Sequence, residues 1–335
     1  MSSTIRDVAK AAGVGVGTVS RVLNKSGYVK PETRERVLGA AAELGFVPSQ
    51  PARSLVRKST ATVGLIIPDI TNPFFPAVTR GVEDAASEAG YTVFLCNTDN
   101  DPAMEALDVH KLRERWVDGI IFVGTSDRRE LVAGLQAQGI PVVVTDRQVD
   151  DLDVDSVVVD NVQSARAAVR YLIDLGHTRI AHAAGHRRTR TGLDRYNGYR
   201  LALEEAGLPY DESLVVWGEF TLDSGCHAGQ VLFGRAPRPT AIFAGNDLMA
   251  MGVMRAADEA GLSVPEDLSL VGFDDIQMAG LLRPGLTTVH QPAYDMGRLA
   301  MSMLLERIGG STAGAGRRHV FQPELIVRGT TRRRD

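Results

Sequence analysis

Cysteine is scarce in this sequence, with only Cys96 and Cys226 among 335 residues. The two lie far apart and outside any CxxC pattern, which excludes a disulfide framework and a structural zinc site, so both thiols are expected in the core. No apolar run approaches the ~20 residues that span a bilayer, and the amino terminus lacks the features of a signal peptide. We therefore expect a cytoplasmic protein with no membrane partner.

The sequence also lacks the motifs that mark common catalytic and metal sites, such as GxSxG, HExxH and paired-carboxylate loops. Gly13, Gly15 and Gly17 follow no predicted strand and lack the spacing of a phosphate-binding loop. His182 and His186 fall on a predicted strand and its exit, where a spacing of four does not bring side chains together. We therefore predict no enzyme, no metal and no cofactor.

Basic residues are concentrated at one end of a chain whose formal net charge is −4. The first 60 residues hold ten Lys or Arg and four Asp or Glu, so this head carries +6 and the remainder carries −10. A basic head on an acidic body is typical of a phosphate-binding module joined to a domain that does not itself bind nucleic acid.

The segment Thr4–Asn24 has the pattern of two short helices separated by a glycine turn. The first ends at Gly13 and has one apolar stripe, formed by Ile5, Val8, Ala9 and Ala12. The second buries Val19, Val22 and Leu23. Its other side carries small or hydrogen-bonding residues: Val16, Gly17, Thr18, Ser20, Arg21 and Asn24. This pattern favours a helix-turn-helix that enters the DNA major groove, although any small helix bundle shows similar stripes.

A third helix is predicted to begin at Pro31 and to be ended by Gly45. Its buried face would be formed by Val37, Leu38, Ala41 and Leu44. We expect a DNA-binding head at residues 1–48 and a linker at 49–60. The linker is rich in Pro, Ser and basic residues, so its composition alone favours a flexible tether with one large apolar side chain, Leu55.

From Thr62 onwards, short apolar strands alternate with helices. One set of strands comprises TVGLIIP, YTVFLC, DGIIFVG and PVVVTD, and a second comprises residues 156–159, RIAHAAG, LVVW, TAIFAG and LSLVGF. Near-continuous apolar strands indicate parallel sheets covered on both faces, so we predict an α/β fold with two doubly wound lobes behind the small all-α head. Lobe 1 is expected at about 61–160 plus 292–322, and lobe 2 at about 161–291 plus 323–335.

Ligands of such sheets bind beyond the carboxyl ends of the strands. The strand exits and the segments after them carry aromatic, basic, acidic and amide side chains: Asn72, Phe74, Phe75, Asp146, Arg147, Arg195, Phe220, Asn246, Asp274 and Gln291. Aromatic rings can cover the apolar face of a sugar while bidentate groups bind its hydroxyls, so we predict a sugar ligand. Asp and Asn at strand exits are also common helix caps, and this alternative stays open for Asp247.

The sequence resembles the LacI/GalR family of bacterial transcription regulators over essentially its whole length. The motifs that carry the resemblance are TIRDVAKAAGV, TVSRVLN, PARSL, NPFF, RYNGY, AGNDLMAMG, LVGFDD and TTVHQP. The resemblance implies a periplasmic-binding-protein-like domain at 61–335 that binds an effector and dimerises. It also implies a homodimer whose heads read the two half-sites of a pseudo-palindromic operator DNA.

The resemblance further implies that the linker folds into a hinge helix on operator DNA, which replaces the tether interpretation. Leu55 matches the leucine that family members wedge into the minor groove, and Thr4, Arg53 and Ser54 are assigned to the DNA-contacting surface. The reading helix departs from the family, because Gly15 stands where a capping serine is usual and the two leading base-contact positions are Val16 and Gly17. Base recognition would then depend on Arg21, on Val16 against a thymine methyl group, and on DNA shape.

The ten cleft residues fall on positions that hold ribose in the related periplasmic receptors. Purine-binding relatives carry an arginine at the position of Thr189 and lack an Asp-Arg pair at Asp146 and Arg147. The resemblance thus implies a repressor relieved by a small sugar, with ribose or a related pentose as the first candidate. The alternatives are a repressor activated by a purine or other corepressor, a transport receptor, and a sugar-processing enzyme. Whether the ligand releases or recruits DNA binding stays open.

Overall fold

The computed structural model describes residues 3–24, 26–46, 59–124, 129–146, 152–310 and 314–334. The predictions for Arg53, Ser54, Leu55 and Arg147 lie outside these residues. The chain divides into two compact units, Met1–Ala61 and Thr62–Asp335. We describe each unit by itself and call them the head and the body. In the described part of the chain, no helix has the length and apolar character needed to cross a membrane.

The head contains three helices, α1 (Ile5–Ala11), α2 (Val16–Leu23) and α3 (Pro31–Glu43). They surround a small apolar core that consists of valine and alanine side chains from the three helices: Val8, Ala9, Ala12, Val19, Val22, Val37, Ala40 and Ala41. The predicted stripes of the first two helices therefore face this core. Gly13 and Gly45 end α1 and α3 in the left-handed conformation, with φ of 63° and 57°.

The predicted buried face of α3 is wrong at two positions. Leu38 is 49% exposed and Leu44 is 36% exposed, whereas Ala40 is buried. The buried stripe consists of Val37, Ala40 and Ala41, and Leu38 lies about 100° around the helix from Val37. Leu44 is the residue that ends the helix, so its side chain lies beyond the last turn that packs on the core.

The strands that the structure describes in the body are β1 (Thr62–Ile67), β2 (Thr92–Asn97), β3 (Gly119–Val123), β4 (Val142–Thr145), β5 (Asp155–Val159), β6 (Ile180–Ala184), β7 (Val215–Trp217), β8 (Ala241–Ala244), β9 (Ser269–Asp274), β10 (Thr287–His290), β11 (Arg318–Phe321) and β12 (Glu324–Ile326). They form two six-stranded sheets in the orders β11-β5-β4-β3-β1-β2 and β12-β10-β9-β8-β6-β7. The first sheet is parallel throughout. In the second sheet only β12 runs antiparallel, against β10.

The helices of the body are α4 (Phe74–Glu88), α5 (Pro102–Glu114), α6 (Arg129–Ala137), α7 (Asn161–Asp174), α8 (Arg190–Glu205), α9 (Leu222–Phe233), α10 (Asp247–Glu259) and α11 (Ala293–Ile308). Two short 3-10 helices lie at Glu212–Leu214 and Gln277–Gly280. The chain passes between the two sheets after β5, after β10 and again after β11. Each sheet with its covering helices forms one lobe, so the predicted α/β fold with two doubly wound lobes is confirmed.

Two details of the body differ from the sequence-based expectation. Strand β10 was not predicted, because its four residues, TTVH, include one apolar side chain and lack the apolar run used to find the other strands. Cys226 is buried as expected, but Cys96 is only half-buried because it lies on β2 at the edge of the first sheet. Burial nevertheless raises the pKa of the Cys96 thiol to about 11.

Helices α4 and α11 pack against each other through two glycines on the first lobe. A methyl group at Gly81 would lie 2.0 Å from the carbonyl oxygen of Tyr294, and one at Gly297 would lie 2.1 Å from that of Val78. The two backbones therefore approach so closely that only glycine fits at these positions.

We expect Gly81→Ala to lower the free energy of unfolding of the body by about 1–3 kcal/mol, because the two helices must move apart. Gly134→Ala on α6 is the matched control, since a methyl group there meets nothing within 4 Å. That change should raise stability by about 0.5–1 kcal/mol. Urea denaturation of both variants measures the difference, and equal effects would contradict the packing described.

Candidate functional site

The outer surface of α2 carries the predicted base-reading residues. Val16, Gly17 and Arg21 are exposed, and Thr18 and Ser20 are half-buried. Gly15 is the residue before the helix and provides no side-chain hydrogen bond to its first turn, as expected for a glycine in place of a serine.

Two more predicted DNA-contacting residues of the head have their side chains engaged within the head. The Thr4 hydroxyl donates to the Asp7 carboxylate at 2.7 Å and accepts from the Asp7 backbone N–H at 3.4 Å. The Thr4 backbone N–H also donates to the Asp7 carboxylate at 2.8 Å, which completes a capping box at the start of α1, and these bonds lower the pKa of Asp7. The Asn24 side-chain amide donates to the Ser20 hydroxyl at 3.2 Å at the end of α2.

The body contains a cavity of about 330 Å³ at the carboxyl ends of both sheets. The structure brings together there every predicted ligand residue that it describes: Asn72, Phe74, Phe75, Asp146, Arg195, Phe220, Asn246, Asp274 and Gln291. The first four belong to the first lobe and the other five to the second. The cavity thus lies between the lobes, where strand exits converge.

Arg195 is the cation at the floor of this cavity, and only 3% of it is exposed. It lies on α8 and donates to the Asn161 side chain at 2.9 Å and to the Gly245 carbonyl at 2.5 Å. Its guanidinium carbon lies 3.6 Å from the ring centroid of Phe273, and its Nη2 lies 3.5 Å from Asp274 Oδ1. Burial lowers the pKa of Arg195, and the nearby carboxylates oppose that effect. The guanidinium is therefore fixed in one orientation before any ligand arrives.

Asp274 is the carboxyl group paired with Arg195, and it also accepts from the Gln291 side chain at 2.7 Å. Burial raises the pKa of Asp274 to about 7, and the charge of Arg195 opposes this while that of Asp146 adds to it. The Gln291 oxygen Oε1 is buried without a hydrogen-bond partner. The cavity thus offers a carboxyl group that titrates near neutral pH beside an unused amide acceptor.

Three phenylalanines supply the apolar part of the cavity. The rings of Phe74 and Phe75 meet edge to face with centroids 5.3 Å apart at the start of α4. Phe220 lies across the cavity and fits against Gly185, where a methyl group would lie 2.0 Å from its ring. These rings provide flat surfaces of the kind that cover the C–H face of a sugar.

Two of the three asparagines that line the cavity also hold the backbone around it. Asn72 accepts from the Phe74 N–H at 3.1 Å. Asn246 caps α10 by accepting from the Met249 N–H at 2.9 Å, and its amide nitrogen donates to the Phe220 carbonyl at 3.0 Å. The cap at this strand exit is therefore Asn246 and not Asp247, the residue for which that alternative was left open.

Asp247 is fully buried in the second lobe and does not line the cavity. Its carboxyl group accepts from the Thr288 hydroxyl at 2.5 Å and from the Ile276 N–H at 2.9 Å. Burial and the charge of Asp274 raise the pKa of Asp247 well above its usual value. This carboxyl group links α10 to β10 and to the turn after β9.

Several cavity residues were not included in the predicted ligand set. They are Pro68, Asp69, Asn100, Pro102, His186, Arg188, Thr189, Thr191 and Glu219. Most follow β1, β2, β6 and β7, so the strand-exit rule would have found them had it been applied to every exit. His186 Nε2 lies 3.6 Å from Glu219 at the rim, and the two histidines at 182 and 186 do not share a site. Among the described residues, no group of three His, Cys, Asp or Glu could hold a metal ion.

Four residues of the cavity wall hold a left-handed backbone that favours glycine. They are Asn100, Asp146, Phe220 and Asp274, with φ of 59°, 67°, 59° and 110°. Such conformations cost on the order of 1–3 kcal/mol each and persist only where the surroundings fix them. The backbone of the cavity wall is therefore held in fixed conformations at these four positions.

Comparisons with known proteins agree with both units. A family model described as "Bacterial regulatory proteins, lacI family" matches residues 4–49, and one described as "Periplasmic binding protein-like domain" matches residues 169–331. The Ribose operon repressor of Halalkalibacterium halodurans is 40% identical over 98% of this chain and 97% of its own. An HTH-type transcriptional repressor PurR of Vibrio campbellii is 39% identical over 99% of each chain.

A solved structure of the Lac repressor dimer, bound to operator and the anti-inducer ONPF, is also similar. It covers 99% of this chain and 100% of its own with a TM-score of 0.90, at 27% identity. Near-complete coverage at about 40% identity by two transcriptional repressors exceeds what a shared fold alone requires. The chain therefore belongs to the LacI family of DNA-binding transcriptional regulators.

Proposed function

We propose that this protein is an operator-binding repressor whose DNA affinity is lowered by a neutral sugar, with ribose or a related pentose as the effector. The observation that carries the proposal is the cavity, in which one buried guanidinium, a paired carboxyl group and three aromatic rings converge. Bidentate charged groups suit adjacent hydroxyls, and the rings suit the C–H face between them.

A purine corepressor is the second candidate, since a relative named PurR is nearly as similar as the ribose repressor. The site favours the sugar. Thr189 stands where purine-binding relatives carry an arginine, and its hydroxyl is used within the chain. It accepts from the Gly192 N–H at 3.1 Å and donates to the His186 carbonyl at 2.9 Å, so it caps α8 and extends no long side chain into the cavity.

The regulation we propose is a shift between a DNA-competent and a DNA-incompetent state. The sugar would close the two lobes over the cavity and favour the incompetent state. A ~100-fold loss of operator occupancy needs a difference of ~2.7 kcal/mol between the two states, which is within the usual range of coupling free energies. The predicted hinge contacts of Arg53, Ser54 and Leu55 would transmit the change, and the dimer would present two heads to the operator.

Ribose at millimolar concentration should raise the melting temperature of the protein, because a ligand that binds the native state stabilises it by mass action. It should also release the protein from an operator selected out of random DNA. Asp274→Asn should abolish both responses while operator binding without sugar persists. Asp174→Asn, on the surface at the end of α7, is the matched control and should change neither.

If ribose, xylose and arabinose all left the melting temperature of the wild type unchanged, the proposal of a sugar effector would be contradicted. If hypoxanthine or guanine then raised it and strengthened operator binding, the purine candidate would be right.

Arg21→Ala should weaken binding to the selected operator by about 1–3 kcal/mol, because Arg21 is the one long side chain among the predicted base readers of α2. The ribose response should be retained, since this residue belongs to the head. Arg36→Ala on the exposed side of α3 serves as the control. Equal losses for the two variants, or an intact affinity for Arg21→Ala, would show that α2 does not read bases through Arg21. Fluorescence anisotropy on operator and on scrambled DNA distinguishes these results.

A further inference from the structure

The cavity carboxyl of Asp274 begins a bend in which two consecutive aspartates are left-handed. Asp274 has a φ of 110° and Asp275 has a φ of 58°. A non-glycine residue in this region is strained, and two in succession require contacts that hold both in place. The bend occurs directly at the end of β9, where the chain leaves the sheet. Whatever holds Asp275 therefore also sets the direction of Asp274.

The side chains of this bend form two parallel rungs with the end of the neighbouring strand. Residue His290 of β10 is in register with Asp274 of β9. On the cavity side, Gln291 donates to Asp274 at 2.7 Å. On the other side, His290 Nδ1 donates to Asp275 Oδ2 at 3.0 Å. The donors His290 and Gln291 are adjacent in sequence, as are the acceptors Asp275 and Asp274, so the backbone couples the two rungs, which lie on opposite sides of the strand ends.

Arg328 fixes the outer rung to the rest of the second lobe. Its Nη2 donates to Asp275 Oδ1 at 2.7 Å, and its Nη1 donates to the Leu286 carbonyl at 2.8 Å. Its backbone N–H donates to the Thr287 hydroxyl at 2.9 Å. The Asp275 carboxylate thus accepts from two separate elements, one on each oxygen, and is held more firmly than a single surface ion pair would be.

The remaining charged groups around the two rungs are few. Glu324 of β12 is paired in register with His290. Asp247 lies on the inner side and forms no hydrogen bond with Asp275. Arg195 and Asp146 face Asp274 from the cavity. None of these groups replaces the donors of the outer rung.

We propose that His290, Asp275 and Arg328 form a positioning brace that holds Asp274 and Gln291 in the orientation needed to bind the effector. The inference rests on the proposed sugar site. None of the three brace residues lines the cavity, so the brace would not contact the effector itself. It acts by fixing the strained bend, so its loss allows Asp274 to turn away from Gln291 and from Arg195.

His290→Leu removes the donor to Asp275, and His290→Asn is the conservative variant, since its amide nitrogen can take the place of Nδ1. The histidine side chain is 46% exposed, so neither change leaves a large buried cavity. His110→Leu is the matched control, because His110 pairs with Glu114 at 3.3 Å on the exposed face of α5, in the other lobe. Arg328→Met tests the second donor if His290→Leu fails to fold.

The first readout needs no ligand. Carbon-13 NMR of aspartate-labelled protein, with Asp274→Asn for assignment, follows the titration of the Asp274 carboxyl group. Burial raises the pKa of Asp274, whereas the charge of Arg195 and the Gln291 hydrogen bond lower it. His290→Leu loosens both of these contacts while the carboxyl group stays enclosed in the cavity, so it should shift this titration to higher pH. His290→Asn should restore it and His110→Leu should leave it unchanged.

The second readout is ribose affinity by calorimetry. His290→Leu should weaken ribose binding about three- to tenfold, as expected when one hydrogen bond at the site is impaired, and His290→Asn should recover most of the loss. A wild type that does not bind ribose contradicts the proposed effector, while the Asp274 titration still tests the brace. An unchanged Asp274 titration in both His290→Leu and Arg328→Met overturns the brace, as does His290→Asn behaving like His290→Leu.

Discussion

The effector cavity depends on one buried charge, the guanidinium of Arg195. An ion at 3% exposure is stable only if hydrogen bonds and opposite charge replace the water it has lost. Asn161, the Gly245 carbonyl, the Phe273 ring and Asp274 together do this. These groups come from different elements of the second lobe, so satisfying one side chain also fixes the strand exits that form the cavity floor.

Strain at the strand exits is the second feature of the site. Asp146 and Asp274 approach Arg195 from different lobes, and both hold backbone conformations that an aspartate rarely adopts. Hydrogen bonds around the bends offset this strain, as the two rungs at Asp274 and Asp275 show. A site built in this way has its polar groups oriented before the ligand binds, which reduces the ordering required on binding. In the proposed mechanism, lobe closure would then have only to bring two prepared walls together.

Much of this architecture could be predicted from local sequence patterns. The alternation of apolar strands and helices gave the two lobes, and parallel topology brought the predicted strand-exit residues to one cavity. Leu38 was misplaced because helical spacing alone does not show which neighbouring stripe meets the core. Strand β10 was missed because its stability comes from pairing and not from an apolar run. Contacts such as Arg195 to Gly245, 50 residues apart, leave no local signal at all.

In the proposed site, Asp274 binds the effector as a carboxylate beside Arg195. Its pKa of about 7 in the free protein means that a sugar whose hydroxyls donate to the ionised group must displace a proton at lower pH. Calorimetric titration with ribose in buffers of different ionisation enthalpy counts those protons. We expect ribose binding to release protons at pH 6 and to release fewer at pH 8, because the free protein holds Asp274 protonated more often at the lower pH. Ribose binding with no proton release at pH 6, or with proton uptake, would contradict this expectation.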